Sequence, residues 1–323
     1  ASSSGQAVRQ PGIARHPRMR LIAGAAAAVG AALSVSKMGV EKGGGRADRL
    51  TMLSWNVLAR PYTGFNQRFH RAAGRLEEPS QTRERYTLAG EEIARRAPDI
   101  VFLQECEATF FSPHWNLAAA RLAEGYEVFR CPPDGPGTAV LVRRGGAARV
   151  LDPRPACVGG SAETGGSCKV ATIVRVEAGH RRFAAVSAHF AWDGDAPKRR
   201  RHAELLGEAL GDESVVVAGD FNCKPGRRLA ALESFSFLGR LRRLELPPGV
   251  ATGLTGDFSE EVCIDHVYVS GDLGAASASA GARPASPWAG GEAGPARVVS
   301  ASDHVPIGAV LDLEDQHDGR AAA

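Results

Sequence analysis

The chain reads as an α+β fold: two packed β-sheets with helices on their outer faces. Three observations predict it. Strand-like apolar segments outnumber helix-like ones, many follow one another directly in pairs, and helical segments are inserted between the pairs. With 323 residues, 44% of them hydrophobic, the chain can bury one large core or two modest ones. No internal repeat appears and nothing marks a second domain.

Taken in order, "LTMLSWNVLA" starts with strand formers and ends in a polar asparagine. "TRERYTLAGEEIARRAPD" places Tyr86, Leu88, Ile93 and Ala97 at roughly helical spacing and stops before Pro98. "DIVFLQE" is a short apolar strand ending in a carboxylate. "HWNLAAARLAE" predicts a helix, and "YEVFR" and "TAVLVRR" predict strands. "KVATIVRVE" and "RRFAAVSAHF" predict a hairpin around Ala178–Gly179–His180. "APKRRRHAELLGEAL" reads as a helix, and "SVVVAGDFN", "CIDHVYVS" and "VPIGAVLDLE" as strands. Segment 271–301, rich in Gly, Ala, Ser and Pro, is expected to be a long loop.

The charge is unevenly spread. Residues 1–48 hold seven basic and two acidic residues, which leaves 32 basic and 34 acidic over 49–323. The body is therefore no basic coat for nucleic acid, and a polyanion must be gripped locally, by a metal or a few arginines. In the first 48 residues, Arg15, His16, Arg18 and Arg20 precede the Ala- and Gly-rich run "LIAGAAAAVGAALSVS". This suits an organellar transit peptide (mitochondrion or plastid), with a secretory signal or anchor, or a plain disordered tail, as alternatives. The run is too short and too weakly apolar for a confident membrane span, so membrane contact is expected only through this leader. The domain reading is a leader over 1–48, a catalytic domain over 49–313 and a tail over 314–323. Six cysteines lack CxxC spacing and are expected as free, partly buried thiols, with Cys157 and Cys168, which flank a Gly-rich loop, as the alternative pair.

Strands avoid Asp and Asn, yet polar residues recur at strand ends here. Asn56 ends "LSWN", Glu105 ends "VFLQE", His189 ends "VSAH", and Asp220 and Asn222 end "VVVAGDFN". Asp265 lies in "CIDHVYV", and Asp303 and His304 precede "VPIGAV". Singly, each is an ordinary turn former or hydrogen-bonded core residue. Gathered at one edge of a sandwich, they form a pocket too rich in negative charge to stay unpaired. Such oxygen-rich sets suit Mg²⁺ or Mn²⁺. A hard cation, hydrogen-bond donors and a base are the equipment for hydrolysing a phosphate ester.

These segments, in this order, resemble the motif series of the endonuclease/exonuclease/phosphatase superfamily, over about residues 49–313. The resemblance implies a four-layer α/β/β/α sandwich. It implies Glu105 as principal metal ligand with Asn56 beside it and Asp303 near the metal. Asp220 would orient or deprotonate the attacking water, Asn222 hold the scissile phosphate, and His189 and His304 contact phosphate oxygens, with Asp265 orienting His304. His266, where relatives often carry an aromatic residue, reads as structural.

Within the superfamily, "SWNVLA", "TRERYTLAGEEI", "HFAWD" and "TGDFSEEVCIDHV" resemble the branch of the carbon-catabolite-repressor-type deadenylases, angel proteins and nocturnin. That likeness implies a 3′–5′ exoribonuclease or related nucleotide phosphodiesterase. Its partner would be single-stranded RNA or a nucleotide, with Phe258 and Trp192 as substrate contacts; Arg199 is a third, read from the basic run Lys198–Arg199–Arg200–Arg201, whose alternative is a solvated helix start. Gly194 stands where that branch has a proline. Alternatives keep the chemistry but act on a phospholipid, an inositol phosphate or a DNA-repair phosphodiester; a non-catalytic scaffold is the remote one. The near-neutral body argues against stable duplex-DNA binding, and a monomer is expected.

Overall fold

The computed structural model describes residues 49–63, 77–159, 170–191, 195–234, 236–254, 261–280 and 301–313, all within the unit Gly45–Ala323. The expected leader and tail lie outside the described residues. The strands are β1 (Arg49–Asn56), β2 (Ile100–Cys106), β3 (Tyr126–Cys131), β4 (Gly137–Arg143), β5 (Ala148–Val150), β6 (Ala156–Gly159), β7 (Val170–Ala178), β8 (Arg181–His189), β9 (Val215–Asp220), β10 (Arg242–Arg243), β11 (Gly253–Leu254), β12 (Glu261–Val262), β13 (Asp265–Val269), β14 (Ala276–Ala280) and β15 (Ile307–Asp312). The helices are α1 (Arg60–Thr63), α2 (Pro79–Arg96), α3 (Ala119–Gly125), α4 (Ala196–Leu210) and α5 (Arg227–Ser234).

Two mixed sheets result. The first runs β14-β15-β1-β2-β4-β3, and the second β10-β13-β9-β8-β7-β5 with β6 also on β7. Each is centred on a parallel pair, β1 with β2 and β8 with β9. A parallel pair needs a long crossover, supplied by α2 in the first sheet and α4 in the second.

The side-chain alternation of the strands sorts the apolar residues into layers. On β1, Leu50 and Met52 join Ile100, Val140, Val174, Val216 and Val267 in a core between the sheets, while Leu53 and Trp55 pack with Tyr86, Ala89 and Ile93 of α2. On β9, Val216 and Ala218 face the inter-sheet core, whereas Val215 and Val217 pack with Ala203, Leu206 and Leu210 of α4. Three apolar interfaces make four layers, helix, sheet, sheet, helix, as expected. Burying each large aliphatic side chain in these interfaces contributes roughly 1.5–3 kcal/mol.

The helix ends follow their local chemistry. Pro79 opens α2, Gln81 accepts the Glu78 N–H at 3.1 Å, and the helix stops at Ala97, whose φ of 47° is left-handed, just before Pro98. Asp195 caps α4 by accepting the Lys198 N–H at 3.3 Å.

Several expectations change. Segment 271–301 is not loop throughout, since β14 pairs antiparallel with β15 from Ala276↔Leu311 to Ala280↔Ile307. Its Ala–Ser alternation lacks the β-branched and aromatic residues that mark a strand. The "HWNLAAARLAE" helix is confined to Ala119–Gly125, because Asn116 accepts the Ala118 N–H at 2.9 Å and holds a turn before it. Leu88 lies on the exposed side of α2 rather than in the core. Neither reading of the cysteines holds: Cys131 of β3 and Cys157 of β6 form a disulfide joining the two sheets. The free cysteines among the described residues are Cys106, Cys223 and Cys263, and Cys168 lies outside them.

Candidate active site

The polar strand ends do meet at one end of the sandwich. In the second sheet the ladder itself lines them up: His189 of β8 pairs with Asp220 of β9, and Asp220 pairs with Asp265 of β13. Three functional side chains thus stand abreast on neighbouring strands. The close approach of β8 and β9 requires Gly219. A Cβ there would lie 1.9 Å from the Ala188 carbonyl oxygen, and the φ of 155° is one L side chains rarely adopt.

The first sheet presents its residues differently. The β2–β4 register shifts between Leu103 and Cys106, and inside that bulge Glu105 has a φ of 53°. A non-glycine residue in the left-handed region is strained by about 1–3 kcal/mol, and bulges re-aim side chains. Here the carboxylate turns toward the second sheet, with Glu105 Oε1 3.9 Å from His189 Nε2, while Oε2 accepts the Ala59 N–H at 3.1 Å. Asn222, likewise left-handed at 49°, is held by Asp220 Oδ1, which accepts its N–H at 2.8 Å.

The contacts close around Asp220, which is buried. Its Oδ2 accepts from the Asn56 amide at 3.1 Å, linking the two sheets, and lies 3.5 Å from His189 Nε2 and 3.8 Å from His304 Nε2. Asn222 Nδ2 sits 3.3 Å from His189 Nε2 and donates to the Phe190 carbonyl at 3.0 Å. On the far side, His304 Nδ1 is 2.8 Å from Asp265 Oδ2. Burial opposes a charge on His304, but Asp265, Asp303 and Asp220 outweigh it and raise its pKa well above the ordinary value. That shift favours the protonated ring, with Nδ1 against Asp265 and Nε2 facing Asp220.

In each of two groups, Glu105–His189–Asp220 and Asp220–Asp265–His304, the potential ligand atoms lie within 4.8 Å of one another. Carboxylates from opposite sheets brought this close repel unless a cation lies between them, and their oxygens are the donors hard divalent ions prefer. The donor set therefore fits Mg²⁺ or Mn²⁺. Asp303 belongs to neither group; its Oδ1 lies 3.2 Å from the Ser302 hydroxyl oxygen.

The expected substrate contacts fare differently. Trp192 and Phe258 lie outside the described residues. Arg199 is corrected: it is 4% exposed, and its Nη1 donates to the carbonyls of Ala191 at 3.5 Å and Asn222 at 3.3 Å. It braces the backbone behind the second-sheet residues instead of facing solvent. His266 is buried, sits 2.9 Å from the Cys223 carbonyl through Nε2 and has its pKa lowered by burial, a neutral packing residue. Sequence reading assigned no role to Arg85 or Ser302, although both stand inside quoted segments and "TRERYTLAGEEI" carries part of the branch resemblance.

A profile of the Endonuclease/Exonuclease/phosphatase family matches residues 53–304. No curated protein matches the chain. Among solved structures, D. rerio TDP2 complexed with single strand DNA product is 14% identical, with a TM-score of 0.58 over 82% of this chain and 99% of that one. The human Nocturnin catalytic domain with bound sulfate anion is 17% identical, with a TM-score of 0.56 over 83% and 94%. A Bacteroides vulgatus endonuclease/exonuclease/phosphatase is 18% identical, with a TM-score of 0.57 over 82% and 99%. Similar scores from different branches show the shared fold and single out no branch. The single-stranded RNA partner is also corrected, since the nucleic acid in a matched structure is single-strand DNA, bound as product by TDP2.

Proposed function

Because the chain belongs to the endonuclease/exonuclease/phosphatase family, we propose that it is a divalent-metal-dependent phosphodiesterase acting on DNA. Its substrate is a phosphodiester at the end of a single strand, of the kind handled in DNA repair. The observation that carries the chemistry is the convergence of Glu105, His189 and Asp220 within 4.8 Å, backed by the Asp265–His304 pair at 2.8 Å. The DNA assignment is supported by the likeness to TDP2 with its single strand DNA product. A body with 32 basic and 34 acidic residues suits a locally gripped strand end rather than a wrapped duplex.

Glu105 and Asp220 supply the carboxylate oxygens that would hold Mg²⁺ or Mn²⁺, with Asn56 beside them. When bound, the metal neutralises phosphate charge that would repel a nucleophile and stabilises charge on the leaving oxygen. The protein's own groups do the rest. Asp220, fixed by Asn56 and by the Asn222 N–H, orients the attacking water and accepts its proton. His304, kept protonated and aimed by Asp265, donates from Nε2 to a phosphate oxygen. His189 and the Asn222 amide donate to other non-bridging oxygens, and these bonds strengthen as charge builds there.

The test is a panel of single-stranded DNA with modified ends, duplex DNA and phospholipid vesicles, incubated with Mg²⁺ and then with EDTA. Chelator-sensitive release at single-strand ends is expected. Turnover of lipid alone would remove the DNA assignment, and no chelator-sensitive hydrolysis of any member would leave a non-catalytic scaffold.

A further inference from the structure

β1 ends at Asn56, and His304 lies in the irregular segment before β15, so no ladder fixes one against the other. Behind both stands Arg85 of α2, 1% exposed, beside Glu77, 5% exposed. Arg85 Nε donates to Glu77 Oε1 at 3.0 Å and Nη2 to Oε2 at 2.9 Å. Nη1 points the other way, to the carbonyls of Val57 at 2.7 Å and Ala301 at 3.4 Å. The chain leads from these carbonyls straight into the site. Val57 follows Asn56, and Ala301 precedes Ser302. The Ser302 hydroxyl donates to the Asn56 carbonyl at 2.6 Å and accepts the His304 N–H at 3.2 Å. The Trp55 indole N–H then donates to the His304 carbonyl at 3.0 Å.

We propose that Arg85 is a positioning residue of the catalytic site: its guanidinium, aimed by Glu77, grips the carbonyls of Val57 and Ala301 and so sets the separation of Asn56 and His304. This rests on the function proposed above. The physical reason is the guanidinium fork, which presents one edge to a carboxylate and another donor to the two carbonyls in fixed directions. A lysine keeps the charge that Glu77 needs but is a point donor, unable to hold all three partners at once. The competing account is that Arg85 only neutralises a buried carboxylate, and there a lysine would suffice.

Arg85→Lys separates the two. The readouts are melting temperature, kcat and KM on bis(p-nitrophenyl) phosphate with Mg²⁺, and solvent exchange of the Trp55 indole proton by NMR. Positioning predicts kcat lower by roughly 10–100-fold, the range typical of residues that orient metal-site ligands, with KM nearly unchanged. It also predicts a retained cooperative melt and Trp55 exchange faster by about tenfold, that is, about 1.4 kcal/mol of lost protection. A folded Arg85→Lys protein with wild-type kcat and wild-type Trp55 protection would overturn the proposal. Should that variant not fold, Glu77→Gln, which removes the bidentate partner that aims the fork, takes its place with the same two opposed outcomes. An inactive wild-type protein would sink the functional reading instead, and Trp55 exchange alone would then decide for or against the brace.

Discussion

The two sheets deliver their functional side chains by different means. In the second sheet, His189, Asp220 and Asp265 occupy paired ladder positions on three adjacent strands, so backbone hydrogen bonds alone put them abreast. In the first sheet, Glu105 sits in a bulge at left-handed φ, and His304 lies off any strand. Glu105 is held through its Oε2, which accepts the Ala59 N–H, and His304 by the Ser302 hydroxyl and, through the Ala301 carbonyl, by the Arg85–Glu77 pair. The difference teaches that a regular ladder places side chains by backbone pairing alone, while an irregular edge can aim a side chain across the sandwich but relies on bonds outside the ladder to hold it there.

The largest expected effect breaks the irregular side. Glu105→Gln keeps the size of the side chain and leaves a carbonyl oxygen for the Ala59 N–H, so the protein should fold. With one negative charge gone from the Glu105–His189–Asp220 group, turnover should fall on the order of 10³-fold or more. Isothermal titration with Mn²⁺ and steady-state rates check this; full activity would mean that the carboxylate is not a ligand.

On the regular side, His189→Ala should lower kcat by on the order of 10²–10³-fold, as for other donors to a developing oxyanion. Because β8 stays paired with β9, metal affinity should change less than in the Glu105 variant. Equal losses of metal affinity in both would erase the contrast between the sheets.

A third test attacks the ladder instead of the side chains. In Gly219→Ala the new methyl group would meet the Ala188 carbonyl oxygen at 1.9 Å, so β8 and β9 must part. A loss of at least about 2 kcal/mol in urea unfolding is expected from the strain and broken pairing. An unchanged unfolding midpoint would show that the strands are less tightly joined than their register requires.

The same contrast explains what could be read from sequence. His189, Asp220 and Asp265 were visible because strand ends are visible, and period-two alternation fixes which side chains reach the same edge. Glu105 was also visible as a strand end, but the bulge that turns it was not, since Gln104–Glu105–Cys106 carries no glycine or asparagine to announce a left-handed residue. The brace was hidden for a different reason. The resemblance marks "TRERYTLAGEEI" as a helix of the branch, but what Arg85 holds emerges only when folding places Val57 and Ala301 beside it, 28 and 216 residues away. The Cys131–Cys157 bridge joins strands of different sheets, and no local spacing encodes such a pairing. β14 was lost because Ala and Ser declare no strand preference.

The smallest effect lies at the opposite end of the first sheet, and its distance from the chemistry is what makes it useful. Asp99 is buried and accepts from the Thr51 N–H at 2.9 Å, the Thr51 hydroxyl at 2.7 Å and the Ala147 N–H at 3.1 Å, with Arg143 also bound. Burial alone would raise its pKa, but the bonds from Arg143, Thr51 and Ala147 overcome it and hold the carboxyl below its usual value. A carboxylate with a depressed folded pKa contributes stability that is fully present above the unfolded value of about 3.9 and disappears as pH falls through the folded one. Urea midpoints of wild-type protein should therefore decline below about pH 4. Asp99→Asn should start lower at pH 7, by about 1–3 kcal/mol for charged hydrogen bonds lost in a buried place, and show a flatter acid limb. Its kcat and metal affinity should match wild type, because the bonds it loses tie the start of β1 to β2 and β4, away from Asn56 and Glu105. A fall in kcat comparable to that of an Arg85 variant would mean that strain anywhere in this sheet reaches the site, and the division between a braced end and an ordinary core would have to be abandoned.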